Sequence, residues 1–409
     1  MKICILTHTF PRFAKDTAAP FMFGLATGMV SAGNEVYVLS PYSSKYSWKK
    51  TDLTFKLLTY KYIWPNSLHK LGYSETLLND MGLPILMWVL SPFMYFFGFW
   101  ALLSLVRKDK IDLINAHWIL PNGFIAALVS FFTGVPVVST LPGSDVYMAK
   151  KNALFKLLAQ ISTKVSKKIT SNSPQLISDL EKITGVDISS KSETIIYGVD
   201  PNFFKLNKGK SESLKKMLMI PNNCIVVLGI GRLVAKKGFE YLIRSSVEIL
   251  KKFSNVVFVI VGDGDQREYL EKLTRKLGVQ QNFIFTGSVN YQELIHYYNL
   301  ADIFILPSVR DEKGNLDDQS VSVMEAMACG KPVITSNFPG YRIVINDGEN
   351  GFLVNERDVK KIRETICTLV KSKVLREEMG RKGRQRITRE FSWKAVGVQY
   401  SNLFSSLVK

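Results

Sequence analysis

Short apolar runs rich in Val and Ile recur along the chain. Longer stretches separate them, in which apolar positions return every three or four residues. In the first half, the runs at 2–8, 35–41, 112–117, 135–141, 167–173 and 192–199 predict strands. Helical spacing marks 21–33, which ends at Gly33, the stretch 150–168, and a segment starting at Asn122. The pattern restarts after the turn-rich residues 199–213. Beyond them 224–231, 255–264, 283–288, 302–308, 331–336 and 351–354 predict strands, and 238–253, 267–277, 291–301 and 320–328 predict helices. The last of these helices stops at Gly330, with Pro332 just beyond it. Residues 376–409 read as helical, with Trp393 and Phe404 among them. Alternation of this kind in both halves predicts an α/β chain of two doubly wound, mostly parallel sheets, with a boundary near residue 200. No GxGxxG follows the first strand, which argues against a conventional dinucleotide site there.

One apolar run breaks the rhythm. Residues 82–106 carry no charge, and Arg107, Lys108 and Lys110 follow. The length would cross a bilayer. Pro84 and Pro92, and the α/β patterns on both sides, count against a span. Two other readings stay open: a buried domain helix, and a helix lying in the membrane surface with its Trp and Phe side chains at the lipid interface. The stretch 150–168 has six lysines, and no acid occurs between Asp145 and Asp179. It reads either as a basic amphipathic helix on anionic lipid or as a solvated helix face.

Composition narrows the class. The chain has 409 residues, 46% hydrophobic and 22% charged, enough for two ordered domains. Cys4, Cys224, Cys329 and Cys367 lie far apart without a CxxC, and His8, His69, His117 and His296 form no HExxH. Neither a disulfide framework nor a metal centre is expected, and a reducing, cytoplasmic compartment is. The first residues lack the small-residue cleavage site of a signal peptide and read as a strand. The net charge of +18 calls for an anionic partner, unless it is an inert basic surface. Without a zinc-finger, basic-zipper or RNA-binding signature, that partner is expected to be a nucleotide or an acidic membrane, not nucleic acid.

Candidate chemistry gathers in the second half. Asp317 precedes Glu325 by eight residues, and Glu325 falls about one turn into a helix starting near Ser320. The free N–H groups of Ser320, Val321 and Ser322, with the helix dipole, make an anion site. On this reading Glu325 holds ribose hydroxyls, the helix start a diphosphate, and Asp317 sugar hydroxyls. Gly231 and Arg232 end a strand, with Lys236 and Lys237 just after, and Gly262 and Gly264 end another. Glycines there let a ligand approach the backbone, and Arg232 and Lys237 supply cations for a diphosphate. Both features lie at carboxyl ends of strands, where open α/β sheets bind ligands.

The order GRL…KKG, VGDG, FTGSV, ADIFILPS, D-x7-E, EAMACGKPVI, DGENGFLV resembles the retaining glycosyltransferases of family 4, whose usual acid pair is Glu-x7-Glu. ILTHTFPR, IDLINAHWILPNG, GVPVVSTLPGSDVY, the GVD at Gly198 and the terminal FSW resemble them too. The resemblance implies the GT-B architecture: two Rossmann-like domains facing a central cleft. It implies an acceptor-side domain at 1–200, a donor domain at 201–375, and helices at 376–409 crossing back to the first. It places Arg232 and Lys237 on the donor diphosphate, Glu325 on the ribose, Asp317 on the transferred sugar, and the backbone around Ser288 near the base. Asp16, Thr17, Ala18, His117, Gly143, Ser144 and Asp145 would face the cleft. Three positions depart from the family: Asp317 stands for a Glu, Pro142 precedes the GSD, and Arg342 stands near a usual Glu.

The expected reaction moves a hexose, with retention, from a nucleotide-diphosphate sugar to a lipid-linked saccharide or another cell-envelope glycan, without metal or cofactor. The chain would work at the inner face of an anionic membrane. Two rivals stay open: a sugar-nucleotide epimerase using His117 and Asp145, and an inactive membrane-associated binding module.

Overall fold

A computed structural model describes residues 1–14, 16, 18–69, 71, 85–312, 314, 316–317 and 319–408, without the side chains of 85–88, Ser144, Lys208 and Lys210. The expectations for Thr17 and 82–84 lie outside these residues. The chain divides into two units, Met1–Gly198 with Trp393–Lys409, and Val199–Ser392.

The first unit is built on β1 (Lys2–Leu6), β2 (Glu35–Pro41), β3 (Lys56–Tyr60), β4 (Leu113–His117), β5 (Val137–Leu141), β6 (Lys168–Ser171) and β7 (Ser192–Thr194). They form one sheet in the order β3-β2-β1-β4-β5-β6-β7, every pair parallel. Its helices are α1 (Pro20–Ser31), α2 (Ile85–Asp109), α3 (Phe124–Thr133), α4 (Ser144–Met148), α5 (Ala153–Val165) and α6 (Pro174–Thr184). Alternation along the strands sorts the core onto two faces. Ile3, Ile5, Val36 and Val38 point into a cluster with α1. Cys4, Leu6, Tyr37 and Leu39 point the other way, into a cluster with α2 and α3. Helix starts are written locally. Asn152 accepts from Phe155 N–H at the start of α5, and Ser173 from Gln175 N–H ahead of Pro174 in α6.

The second unit runs α7 (Lys208–Met217), β8 (Ile225–Ile230), α8 (Phe239–Lys252), β9 (Val256–Val261), α9 (Arg267–Lys276), β10 (Phe283–Gly287), α10 (Leu294–Leu300), β11 (Ile303–Leu306), α11 (Val321–Ala328), β12 (Val333–Ser336), α12 (Pro339–Val344), β13 (Phe352–Val354), α13 (Val359–Lys371) and α14 (Lys373–Glu390). The parallel sheet has the order β10-β9-β8-β11-β12-β13. Strand order therefore reverses between β1 and β4 in one sheet and between β8 and β11 in the other, the Rossmann arrangement with its ligand crevice at the switch point. The last helix, α15 (Trp393–Ser405), packs on α1 in the first unit.

Several expectations shift. β3 did not stand out in the sequence because it is a partly exposed edge strand, with Leu58 38% exposed. The strand expected at 192–199 stops at Thr194. The helix expected from Asn122 is preceded by a widened turn, Ile119–Gly123. The C-terminal segment divides at 392/393 and not at 376: α14 packs on α11 and α13, and only α15 belongs to the first unit. The uncharged run forms α2, and Val89–Asp109 is long and apolar enough to cross a membrane by length and composition. Its Leu90, Met94, Leu102, Leu103 and Val106 are buried in the sheet's core cluster, so the helix is one layer of that unit.

Candidate functional site

In the second unit, the loops leaving β8, β9 and β11 meet at the strand carboxyl ends. Two glycines permit it. A Cβ on Gly262 (φ +133) would stand 2.0 Å from the Gly231 carbonyl oxygen, and one on Gly238 (φ +68) 1.9 Å from that of Pro307. The turn closed by Gly238 brings Lys237 inward, and its side chain is largely buried. Its Nζ donates to Asp317 Oδ2 at 2.7 Å and lies 3.4 Å from Ser320 Oγ. Asp317 Oδ2 also accepts from Ser308 Oγ at 3.3 Å and Tyr341 OH at 3.4 Å. The pair expected to touch sugar and diphosphate separately is thus an ion pair in this structure.

Ser320 stands at the N-cap of α11 with extended backbone, yet its hydroxyl does not cap the helix. It bonds Ser322 Oγ at 2.9 Å instead. Val321 and Ser322 open the helix, whose dipole favours an anion at that end. Arg232 is exposed just beyond Gly231, and no hydrogen bond or ion pair of its guanidinium is found among the described residues. Gly264 continues the β9 loop, and Ser288 is exposed immediately after β10.

Glu325 is 3% exposed, and its Oε2 accepts from Tyr298 OH at 2.6 Å. Burial raises its carboxyl to about 7, against hydrogen bonds from Tyr298 and Tyr291 that favour the ionised form. Ser308, Tyr341, Tyr298 and Tyr291 were missed by sequence reasoning. Ser308 carried a signal, as it directly follows the run that became β11. Isolated tyrosines carry none.

The first unit makes its own cluster at the ends of β1, β4 and β5. His117 is fully buried: Nε2 meets Asn115 Oδ1 at 2.9 Å, and Nδ1 has no partner among the described residues. Burial lowers its pKa to about 3, so the ring is neutral. Asn122 Nδ2 donates to the His117 carbonyl at 2.6 Å and lies 3.0 Å from His8 Nδ1. His8 and Asn122 were likewise not singled out as site residues.

Asp145 is fully engaged: Oδ2 accepts from Ile119 N–H at 2.6 Å and Oδ1 from Gly143 N–H at 3.3 Å. Burial raises it to about 6 against these backbone bonds. It fastens the turn after β4 to the loop after β5, and Ser144 backbone opens α4 there. Asp16 is held by Arg12, with Nη2–Oδ1 at 3.0 Å, and by Ala18 N–H at 3.2 Å. Burial opposes its charge, but these bonds win and its pKa is lowered. Two acids expected to face a ligand therefore organise backbone.

Comparison with known proteins bears on the family and the fold. Residues 210–386 match the glycosyl transferases group 1 model, and 84–173 the glycosyl transferase 4-like model. An uncharacterized glycosyltransferase of Methanocaldococcus jannaschii is 26% identical over 99% of this chain and 98% of its own. A GDP-mannose-dependent monoacylated alpha-(1-6)-phosphatidylinositol monomannoside mannosyltransferase of Corynebacterium glutamicum is 26% identical over 75% of this chain and 79% of its own. Among solved structures, Anabaena HepE in complex with UDP superposes with a TM-score of 0.72 at 18% identity, covering 99% of this chain and all of that one. The second unit thus carries a glycosyl transferases group 1 domain and the first a glycosyl transferase 4-like segment, and the chain has the GT-B fold.

Proposed function

We propose that this chain is a retaining hexosyltransferase that moves a hexose from a nucleotide-diphosphate sugar to a lipid-linked saccharide of the cell envelope. The observation that carries it is the convergence of Lys237 and Ser320 at the uncapped start of α11, with Arg232, which has no side-chain partner among the described residues, at the end of β8. Such a mouth suits a diphosphate. The acceptor oxygen bonds to the anomeric carbon on the face from which the diphosphate departs. The anomeric C–O bond breaks, and the nucleoside diphosphate leaves with the electron pair. A phosphate oxygen takes the acceptor's proton. Arg232, Lys237 and the N–H groups of Val321 and Ser322 stabilise the growing charge, so no step runs through a metal or cofactor. The diphosphate draws Lys237 away from Asp317, whose carboxylate then receives a sugar hydroxyl. Glu325 takes the ribose, and the backbone at Ser288 borders the base.

The Corynebacterium relative's named lipid substrate supports a lipid-linked acceptor. We place the work at the cytoplasmic face of an anionic membrane, with the acceptor on the first unit. There the backbone at Gly143 remains for it. The epimerase reading loses ground because Asp145 is tied to backbone and the His117 ring is too weak a base.

The test is thermal stabilisation by UDP-, GDP- and ADP-hexoses in the wild type and in Arg232→Ala, then the anomeric configuration of the product by proton NMR. One nucleotide should stabilise the wild type. The variant should lose about a hundredfold or more in kcat/KM. A loss under about threefold, below ~1 kcal/mol, counts against the scheme. An inverted product removes retention. Free sugar or epimer formed without acceptor replaces transfer with the rival reaction.

A further inference from the structure

The first unit carries a surface that its own core leaves uncovered. On α2, Val89, Phe93, Phe96, Phe97 and Trp100 are all more than 40% exposed. Their spacing of three and four residues puts them on one side of the helix, away from Leu90, Met94, Leu102 and Val106 in the core. The neighbouring α3 adds Phe131 at 84% and Phe132 at 58% exposed. Ring contacts join the two helices into one patch: Phe96 to Trp100, Trp100 to Phe99, and Phe99 to Phe132, with centroids 5.3–6.4 Å apart. A large contiguous apolar surface of this kind marks an interaction site.

Helix α3 also packs against α5, which exposes Leu154 and Leu157. The odd-numbered residues of β5 point toward all three helices, Val137 into the α2–α3 cluster and Leu141 into the α5–α6 cluster. So α2, α3 and α5 cover one face of one sheet, and their outer sides share a direction.

Charge decides what this face meets. Exposed Arg107, Lys108 and Lys110 stand at the end of α2, and exposed Lys150, Lys151, Lys156 and Lys164 on and before α5. A pocket of about 350 Å³ at the start of α5 is lined by Lys150, Lys156 and Lys182. Apart from Asp109, whose carboxylate accepts from Tyr37 OH, the described residues of the three helices include no acid. A second copy of the chain would set cations against cations. A plane of anionic headgroups over acyl chains matches both the lysines and the aromatic rings, which favour the headgroup level.

We infer that the outer face of α2, α3 and α5 docks the first unit on an anionic lipid bilayer. This deepens the lipid-linked acceptor reading and rests on it for its biological sense, but not for its test. The full chain is sedimented at low salt with vesicles of phosphatidylcholine alone, or of phosphatidylcholine with about equal phosphatidylglycerol. The wild type should pellet with the anionic vesicles and stay in solution with the neutral ones. Two exposed-surface variants are compared, Phe96→Asp/Trp100→Asp/Phe131→Asp and Lys150→Glu/Lys151→Glu/Lys156→Glu. Each should weaken vesicle binding about tenfold or more, with melting temperature and nucleotide-sugar stabilisation unchanged.

No pelleting of the wild type, or equal binding to both vesicles, overturns the inference. So does a dimer in solution that the aromatic variant dissolves while the wild type ignores vesicles. Donor binding without vesicle binding removes the docking face alone. Vesicle binding without any donor supports docking and removes the transferase reading.

Discussion

Glu325 is a carboxyl whose burial outweighs two tyrosine hydrogen bonds, and its position near 7 makes a pH prediction. From about pH 4.5 to 7 the folded protein holds a proton that the unfolded chain has released. Stability is therefore full below the unfolded value and falls as pH rises through the folded one, by on the order of 3 kcal/mol. Glu325→Gln keeps an acceptor for Tyr298 but cannot ionise. Its stability relative to the wild type should therefore rise by several degrees of melting temperature between pH 5 and 8. Asp145, raised to about 6, titrates in both proteins and cancels. A difference that does not change with pH would mean that the carboxylate stays ionised throughout. The candidate site was legible residue by residue but not in its pairings. Lys237, Asp317 and Glu325 were visible from strand ends and a helix start. Their partners Ser308, Tyr341 and Tyr298 were not, because contacts across 9, 24 and 27 positions leave no local spacing. The backbone partners of Asp16 and Asp145 were hidden for a related reason: a carboxylate aimed at backbone N–H groups has the same sequence signature as one aimed at a ligand.

Elements buried on both faces were the legible ones. β8, β9 and β11 are continuous apolar runs, because a parallel sheet under helices buries both sides of each strand. β3 escaped because an edge strand mixes exposed Lys56, Leu58 and Thr59 with buried Tyr60, and no clean alternation results. The resemblance implied that a terminal helix crosses back to the first unit but not that it lands on α1, for that contact depends on glycines far apart in the chain. A Cβ at Gly28 would stand 2.1 Å from the Trp393 carbonyl oxygen, and one at Gly397 2.1 Å from that of Gly28. The indole of Trp393 fills the space beside Gly24 and Gly198. Backbone, unlike a flexible side chain, cannot step aside. Gly28→Ala should cost about 2–3 kcal/mol, the range of overpacked cores, although Ala is the better helix former. Urea unfolding measures this. A neutral or stabilising result would show that α15 can slide by the width of a methyl group.

At the scale of the whole molecule, one unit is continuous in sequence and the other is not, and this predicts how they separate. The ends of the second unit lie side by side: Val199 N–H donates to the Phe391 carbonyl at 2.9 Å. Arg384 on α14 fastens the entry of that unit to its core, donating to the carbonyls of Pro201, Phe204 and Ala328. Residues 199–392 therefore contain the whole six-stranded sheet, the described helices that cover it and all the proposed donor residues. The excised segment should unfold cooperatively and bind the donor's nucleoside diphosphate. At a hundredfold excess over Kd, that ligand should add about 2.7 kcal/mol. The complementary truncation, 1–392, keeps the same unit but strips α15 from the first. Val396, Tyr400 and Phe404 are all fully buried there. An aromatic side chain lost from a core costs about 3–5 kcal/mol, so two of them with Val396 exceed the ~5–15 kcal/mol that hold a domain together in all but its upper range. Near-ultraviolet circular dichroism and limited proteolysis of 1–392 should show the first unit unfolded and the second protected. If nucleotide binding disappears along with the first unit, the second does not stand alone. The donor site would then need α15 in place as well as the residues of its own sheet.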